Sequence, residues 1–186
     1  KHGEVLAIAS RSPEKAKEAA DTLRIPKYFG SYEELLADEQ IQAVYIPLPN
    51  HLHVEWAVKA LKAGKHVLVE KPVAMNAQEA KSLLDEARKH PELRIMEAFM
   101  YKFHPQWIKA KKLVQEGAIG SLKIVQASFS FFEDDPNSIV NKKGFGGGSL
   151  MDVGCYPVSV SRFLFDAEPK RVVSSLEYHP EFEVDI

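Results

Sequence analysis

The chain has 186 residues, 45% hydrophobic and 27% charged, the balance of a folded globular protein and not of a disordered one. Its 24 Lys and Arg against 26 Asp and Glu give a formal charge of −2, which excludes the basic surplus expected of a nucleic-acid or anionic-membrane partner. No apolar run reaches the roughly 18 residues that cross a bilayer and no signal peptide opens the chain. The single cysteine, Cys155, excludes an intrachain disulfide and argues against structural zinc, so a reducing compartment such as the cytoplasm is the expected setting, with no metal.

Lys1-His2-Gly3-Glu4 runs directly into Val5-Leu6-Ala7-Ile8-Ala9, a strand candidate with no methionine or element ahead of it. Ser12-Pro13 then supplies a helix cap and a first-turn proline, and Ala16, Ala19, Ala20 and Leu23 follow with helical spacing. Ser31 and Glu34 have capping-box spacing before a short helix at Leu35-Leu36. Ala43-Val44-Tyr45-Ile46 is the next strand, and a helix over residues 53–63 stops at Gly64. His66-Val67-Leu68-Val69-Glu70 reads as a third strand, Asn76 and Glu79 cap a helix carrying Ala80, Leu83, Leu84 and Ala87, and Leu93-Arg94-Ile95-Met96-Glu97 reads as a fourth strand. Short apolar strands separated by helices, with little polar alternation, predict a doubly wound α/β domain over residues 1–120 whose parallel sheet is covered on both faces.

The pattern then changes. Residues 105–116 are helical up to Gly117, and residues 121–132 predict a long strand with Val125, Ala127, Phe129 and Phe131 on one face. A polar loop over 133–143 leads to Gly146-Gly147-Gly148, a helix over 149–165 and a strand over 171–178. Residues 121–186 therefore predict the start of an α+β domain with a partial sheet. Glu183-Val184-Asp185-Ile186 stops in what reads as a strand or strand connection, so the sequence is expected to continue at both ends.

Ligands of open parallel sheets bind outside the carboxyl ends of the strands. Ser10-Arg11 follows the first strand; an arginine there can pair with a 2′-phosphate where an acidic residue would favour NAD, although a solvated arginine beside a helix start is the plainer alternative. Pro47-Leu48-Pro49-Asn50-His51-Leu52-His53 is a stiff turn in which Asn50 can be a helix cap, a ligand group or both. Lys71 stands in Glu70-Lys71-Pro72 at a strand tip, a pair that is also common loop material. In Gly146-Gly147-Gly148-Ser149-Leu150-Met151-Asp152-Val153-Gly154-Cys155-Tyr156, Asp152 and Tyr156 are i and i+4 on one helix face, and the triple glycine permits close passage of a cofactor; a glycine-rich helix entry with Tyr156 half-buried is the alternative.

Together these segments resemble the glucose–fructose oxidoreductase / inositol dehydrogenase (Gfo/Idh/MocA) family over nearly the whole chain. Glu70-Lys71-Pro72 about 80 residues ahead of a Gly-Gly-Gly…Asp-x-Gly-x-Tyr helix is specific as a pair, and residues 97–105 look like the family's link between domains. Tyr156, where many members have histidine, is similar to the branch with dimeric dihydrodiol dehydrogenases and NADP-dependent xylose dehydrogenases. The resemblance implies a Rossmann-type sheet whose first strand and glycine-rich phosphate loop are missing ahead of Lys1, with much of the C-terminal sheet missing beyond Ile186. It implies that Lys71 and Tyr156 flank the reacting carbon, that Asp152 orients substrate, and that Glu70 and the turn residues Pro47, Leu48, Asn50 and His53 contact the nicotinamide end of NADP, with NAD as the alternative cofactor. It also implies a homo-oligomer formed through the C-terminal sheet. The expected activity of the complete protein is hydride transfer between NADP and a hydroxyl-bearing carbon of a sugar, polyol or dihydrodiol, with Tyr156 taking the hydroxyl proton and Lys71 lowering its pKa. A non-catalytic sensor on the same fold is the rival reading, and a purely structural domain the last.

Overall fold

A computed structural model describes residues 3–186. The first strand, β1 (Ala7–Ala9), turns through Ser10-Arg11 into α1 (Pro13–Leu23). Ser12 is extended and its Oγ accepts the Lys15 N–H at 3.3 Å, Pro13 fills the first turn, and Ala16 and Ala20 are buried as their spacing predicts. A strand absent from the sequence reading follows: β2 (Lys27–Phe29) pairs in parallel with β1, Ala7 opposite Lys27. Lys27-Tyr28-Phe29 lacks the β-branched or aliphatic run that marks β1, β3 and β4 in the sequence. Helix α2 (Tyr32–Ala37) starts at Ser31, whose Oγ accepts the Glu34 N–H, while the Glu34 carboxylate reaches back to the Gly30 N–H.

Three further strands, β3 (Ala43–Ile46), β4 (His66–Val69) and β5 (Ile95–Glu97), form a second parallel sheet in that order, with Val44 opposite Val67 and Val67 opposite Ile95. They alternate with α3 (His53–Lys62) and α4 (Ala77–Ala87). Val44, Ile46, Val67 and Val69 pack with Ala57, Ala60 and Leu61 of α3 and Leu83 of α4, and this is the main core. The opposite face is not covered as expected. Tyr45, Leu68 and Met96 stand in one row across it, and Tyr45 and Met96 are 55% and 45% exposed. These residues are as apolar as the buried ones, so the sequence reads as two-sided when only one side is packed.

The β1–β2 pair does not join β3 within the described residues. In a doubly wound sheet of strand order 3-2-1-4-5-6 one further strand stands between two such pieces.

Beyond β5, α5 (Pro105–Gln115) and α6 (Cys155–Phe165) pack around Phe99, Tyr101 and Val160, with Trp107, Tyr156 and Phe163 against them. The predicted helix over 149–165 is corrected at its start: Leu150–Gly154 is a π-helical turn that precedes α6. The strands predicted over 121–132 and 171–178 form no ladder. One antiparallel bridge, Tyr178 to Asp185, is the whole of the pairing among the described residues here. Side-chain alternation survives in part, with Val125 packed inward and Ile124 and Phe132 73% and 87% exposed, but a strand needs a neighbour for its N–H and C=O groups and none runs alongside. Among the described residues no helix is long and apolar enough to cross a membrane, and no group of His, Cys, Asp and Glu is arranged to hold a metal.

Candidate active site

The segments singled out in the sequence follow the carboxyl ends of the parallel strands, and the 47–53 turn, the Glu70-Lys71-Pro72 loop and the 146–156 segment meet there. At the end of β1, Ser10 Oγ accepts the Ser12 N–H at 3.2 Å, and Arg11 is exposed with no side-chain hydrogen bond or ion pair among the described residues. The turn after β3 is fastened from below by His53. Its ring is fully buried, with Nδ1 2.7 Å from the Pro72 carbonyl and Nε2 2.6 Å from the Leu48 carbonyl. His53 joins the 47–53 turn to the Lys71-Pro72 loop through both ring nitrogens. Asn50 is not a helix cap. It makes no capping bond, and its Nδ2 donates to the Gly146 carbonyl at 2.8 Å, 96 residues away. His51 stacks on Phe145 across the same junction.

At the tip of β4, Glu70 accepts the Tyr45 hydroxyl on Oε1 at 2.7 Å and the Lys71 N–H on Oε2 at 3.1 Å. The bond to a carboxylate pushes the Tyr45 phenol up to about 12. The Lys71–Pro72 peptide is cis. The Lys71 amine donates to the Asp152 carbonyl at 2.5 Å and to Asp152 Oδ1 at 3.0 Å, and lies 5.3 Å from the centre of the Tyr156 ring. Both charged side chains are largely enclosed, with 16% and 27% exposure, so the pair is shielded from the screening that weakens surface pairs. The amine therefore lies beside the Tyr156 ring, although no hydrogen bond joins it to the phenol.

Tyr156 is packed among aromatic rings, edge-on with Phe99 at 5.4 Å and tilted against Phe129 at 5.6 Å and Tyr101 at 6.2 Å. Burial raises its phenol above the ordinary value, and the Lys71 charge opposes this without reversing it. The expected lowering is thus corrected: in this chain desolvation outweighs the ammonium. Burial likewise pushes up the Cys155 thiol beside it, whose Sγ donates to the Asp152 carbonyl.

The glycine run makes room for protein. Gly146 has φ 78°, and a Cβ there would lie 2.3 Å from Met75 Sδ and 2.9 Å from the Asn50 Cβ. Gly148 has φ 112°, and a Cβ there would lie 2.1 Å from Asp185 Oδ1, while Asp185 Oδ2 accepts the Leu150 N–H at 2.6 Å and fixes the start of the π-helical turn. Sequence reasoning missed Tyr45, Met75, Asp185 and Glu97, the last of which accepts the Val73 N–H at 2.8 Å behind Lys71.

Two family models match the chain: "Oxidoreductase family, NAD-binding Rossmann fold" over residues 1–99 and "GFO/IDH/MocA C-terminal domain" over residues 107–186. The chain belongs to the GFO/IDH/MocA family. This GFO/IDH/MocA chain is 45% identical to D-xylose 1-dehydrogenase (NADP(+)) 2 of Haloferax volcanii, covering 92% of the chain and 52% of the relative. It is 37% identical to trans-1,2-dihydrobenzene-1,2-diol dehydrogenase of Xenopus tropicalis, covering 98% and 54%. The structure of KijD10, a 3-ketoreductase from Actinomadura kijaniata in complex with NADP and TDP-benzene, superposes with a TM-score of 0.86 at 34% identity, covering 98% of this chain and 56% of that one. The chain spans about half the length of the curated relatives it matches. Its Glu70-Lys71-Pro72 segment lies in the part matched by the first family model, and Asp152 and Tyr156 lie in the part matched by the second, so the Lys71–Asp152 pair joins the two.

Proposed function

We propose that the protein carrying this chain transfers a hydride between NADP and a hydroxyl-bearing carbon of a sugar, polyol or dihydrodiol. The observation that carries this is the Lys71 amine, bonded to Asp152 and 5.3 Å from the Tyr156 ring at the ligand edge of a parallel sheet. The substrate range follows relatives named as a D-xylose dehydrogenase and a dihydrodiol dehydrogenase.

The donor set at the end of β1 fits the phosphorylated cofactor: Arg11 offers an exposed guanidinium without a carboxylate partner among the described residues, beside the Ser10 hydroxyl. Ser10 and Arg11 would hold the ribose phosphate, and Pro47, Leu48, Asn50 and Glu70 would flank the nicotinamide end. When bound, the cofactor supplies the hydride acceptor or donor. Tyr156 moves the proton at the substrate oxygen, Lys71 favours the phenolate and polarises a carbonyl, and Asp152 holds the amine in place. Because burial holds the Tyr156 phenol above its ordinary value, the proton is in place for carbonyl reduction at neutral pH, and alcohol oxidation gains its base only as pH rises. The exposed side chains of Phe131, Phe132, Val172 and Val173 support assembly of copies through the C-terminal segment, and the free Cys155 fits a cytoplasmic setting.

The test is to express the full-length gene product, titrate NADPH and NADH by fluorescence, and screen pentoses, hexoses and diols for NADP reduction. Binding of NADPH with turnover of at least one such substrate is expected. A protein that binds neither nucleotide overturns the proposal.

A further inference from the structure

We infer that Tyr45 is a positioning residue, whose hydroxyl holds the Glu70 carboxylate off the Lys71 amine so that the amine serves Asp152 and Tyr156. The inference rests on the function proposed above and adds a residue that does not itself face substrate.

Lys71 has two carboxylates within reach of its flexible stem. Glu70 is its neighbour in the chain, and Asp152 is 81 residues away. Yet the amine goes to Asp152, at 3.0 Å. Glu70 is held in another orientation by two bonds, Oε1 accepting the Tyr45 hydroxyl at 2.7 Å and Oε2 the Lys71 N–H at 3.1 Å. The register of the sheet makes this possible. Tyr45 is opposite Leu68, and Glu70 lies two residues beyond Leu68 on the same face, one diagonal step from Tyr45. A phenol is long enough to cover that step.

The charges facing Tyr156 give the arrangement its consequence. Lys71 favours the phenolate, whereas Glu70, Asp152 and the Cys155 thiol disfavour it. If the Tyr45 bond is removed, Glu70 Oε1 loses its donor, and the Lys71 ammonium, which gives two bonds to Asp152, has a third N–H to offer it. A carboxylate drawn there partly neutralises the cation that assists Tyr156 and brings a second negative charge toward the phenol. Both effects make the base harder to form.

Tyr45→Phe keeps the ring and deletes only the donor. In the full-length protein, the rise of kcat/KM for alcohol oxidation with pH should move to higher pH by roughly half a unit to one unit in Tyr45→Phe, with NADP affinity unchanged. Tyr45→Phe combined with Glu70→Gln should return the rise to the wild-type position or below it, because the amide carries no charge; a loss of structure alone would not be rescued in this way. A Tyr45→Phe profile that coincides with the wild type, or a shift that persists in the double variant, overturns the inference while leaving the proposed function standing. Absence of Tyr156-dependent turnover in the wild type overturns the proposed function instead. The crystal structure of Tyr45→Phe decides the inference independently of turnover: Glu70 is expected within hydrogen-bond distance of Lys71 Nζ, and a Glu70 unmoved beside an intact Lys71–Asp152 pair overturns it.

Discussion

Tyr156 sits where two opposing effects meet, burial raising its phenol and the Lys71 charge lowering it, with burial the larger. A free phenol titrates near 10. With the pKa above that, the phenolate fraction grows about tenfold per pH unit through the neutral range, so oxidation should climb with that slope until the raised pKa is reached. Carbonyl reduction, which needs the neutral phenol, should be flat over the same range. Rates for both directions measured against pH on the full-length protein check the sign, and a flat oxidation profile removes Tyr156 as the base. Tyr156→Phe should lower kcat by about 10²–10⁴ while changing NADPH affinity far less, because the ring contacts with Phe99, Phe129 and Tyr101 remain. The meeting of Lys71 with Asp152 and Tyr156 was legible only through family resemblance, since no local pattern connects residues that far apart. The Tyr45–Glu70 bond was not legible at all, because it depends on the register between β3 and β4, which no single strand records.

Among elements, the helices were the readable part. Ser12, Ser31 and Asn76 each cap the helix that their spacing predicts, because a side-chain oxygen three residues ahead of an unsatisfied N–H is a local relation. The glycine run was legible as a place where backbone passes closely, but the partner was another part of the chain. That difference can be measured. Gly64 has φ 74° with open space around it, so Gly64→Ala meets only the backbone cost, about 1–2 kcal/mol. Gly146→Ala meets the same cost and collides with Met75 and the Asn50 Cβ, and Gly148→Ala, at φ 112°, meets a larger one and collides with Asp185, so each should lose at least about 3 kcal/mol. Denaturant midpoints at constant slope give the comparison. Equal losses at Gly64 and Gly148 would mean that the 146–148 segment relaxes away from Asp185, and that Asp185 does not fix the start of the π-helical turn.

At the scale of the whole molecule, the chain divides into a region whose backbone is paired and a region where it is not. The β3–β4–β5 sheet with α3 and α4 has its ladder bonds and a buried core. Residues 121–132 and 171–176, by contrast, donate no backbone N–H to another backbone carbonyl among the described residues. The sequence announced these as strands because apolar alternation is written along a segment, while the ladder that makes a strand is written in its neighbour. Amide protons exchange at a rate set by how often their hydrogen bonds open, so unpaired amides are left near the intrinsic rate. Hydrogen exchange followed by mass spectrometry on this chain should therefore show residues 67–69 and 95–97 protected for the longest times and residues 121–132 exchanging at once. In the full-length protein, the chain spans about half of relatives this similar, and a strand laid beside 121–132 there would slow those same amides with no change in the 67–69 signal. Slow exchange at 121–132 in the isolated chain would instead mean that the segment already pairs, through association of copies, and the protection would then fade on dilution.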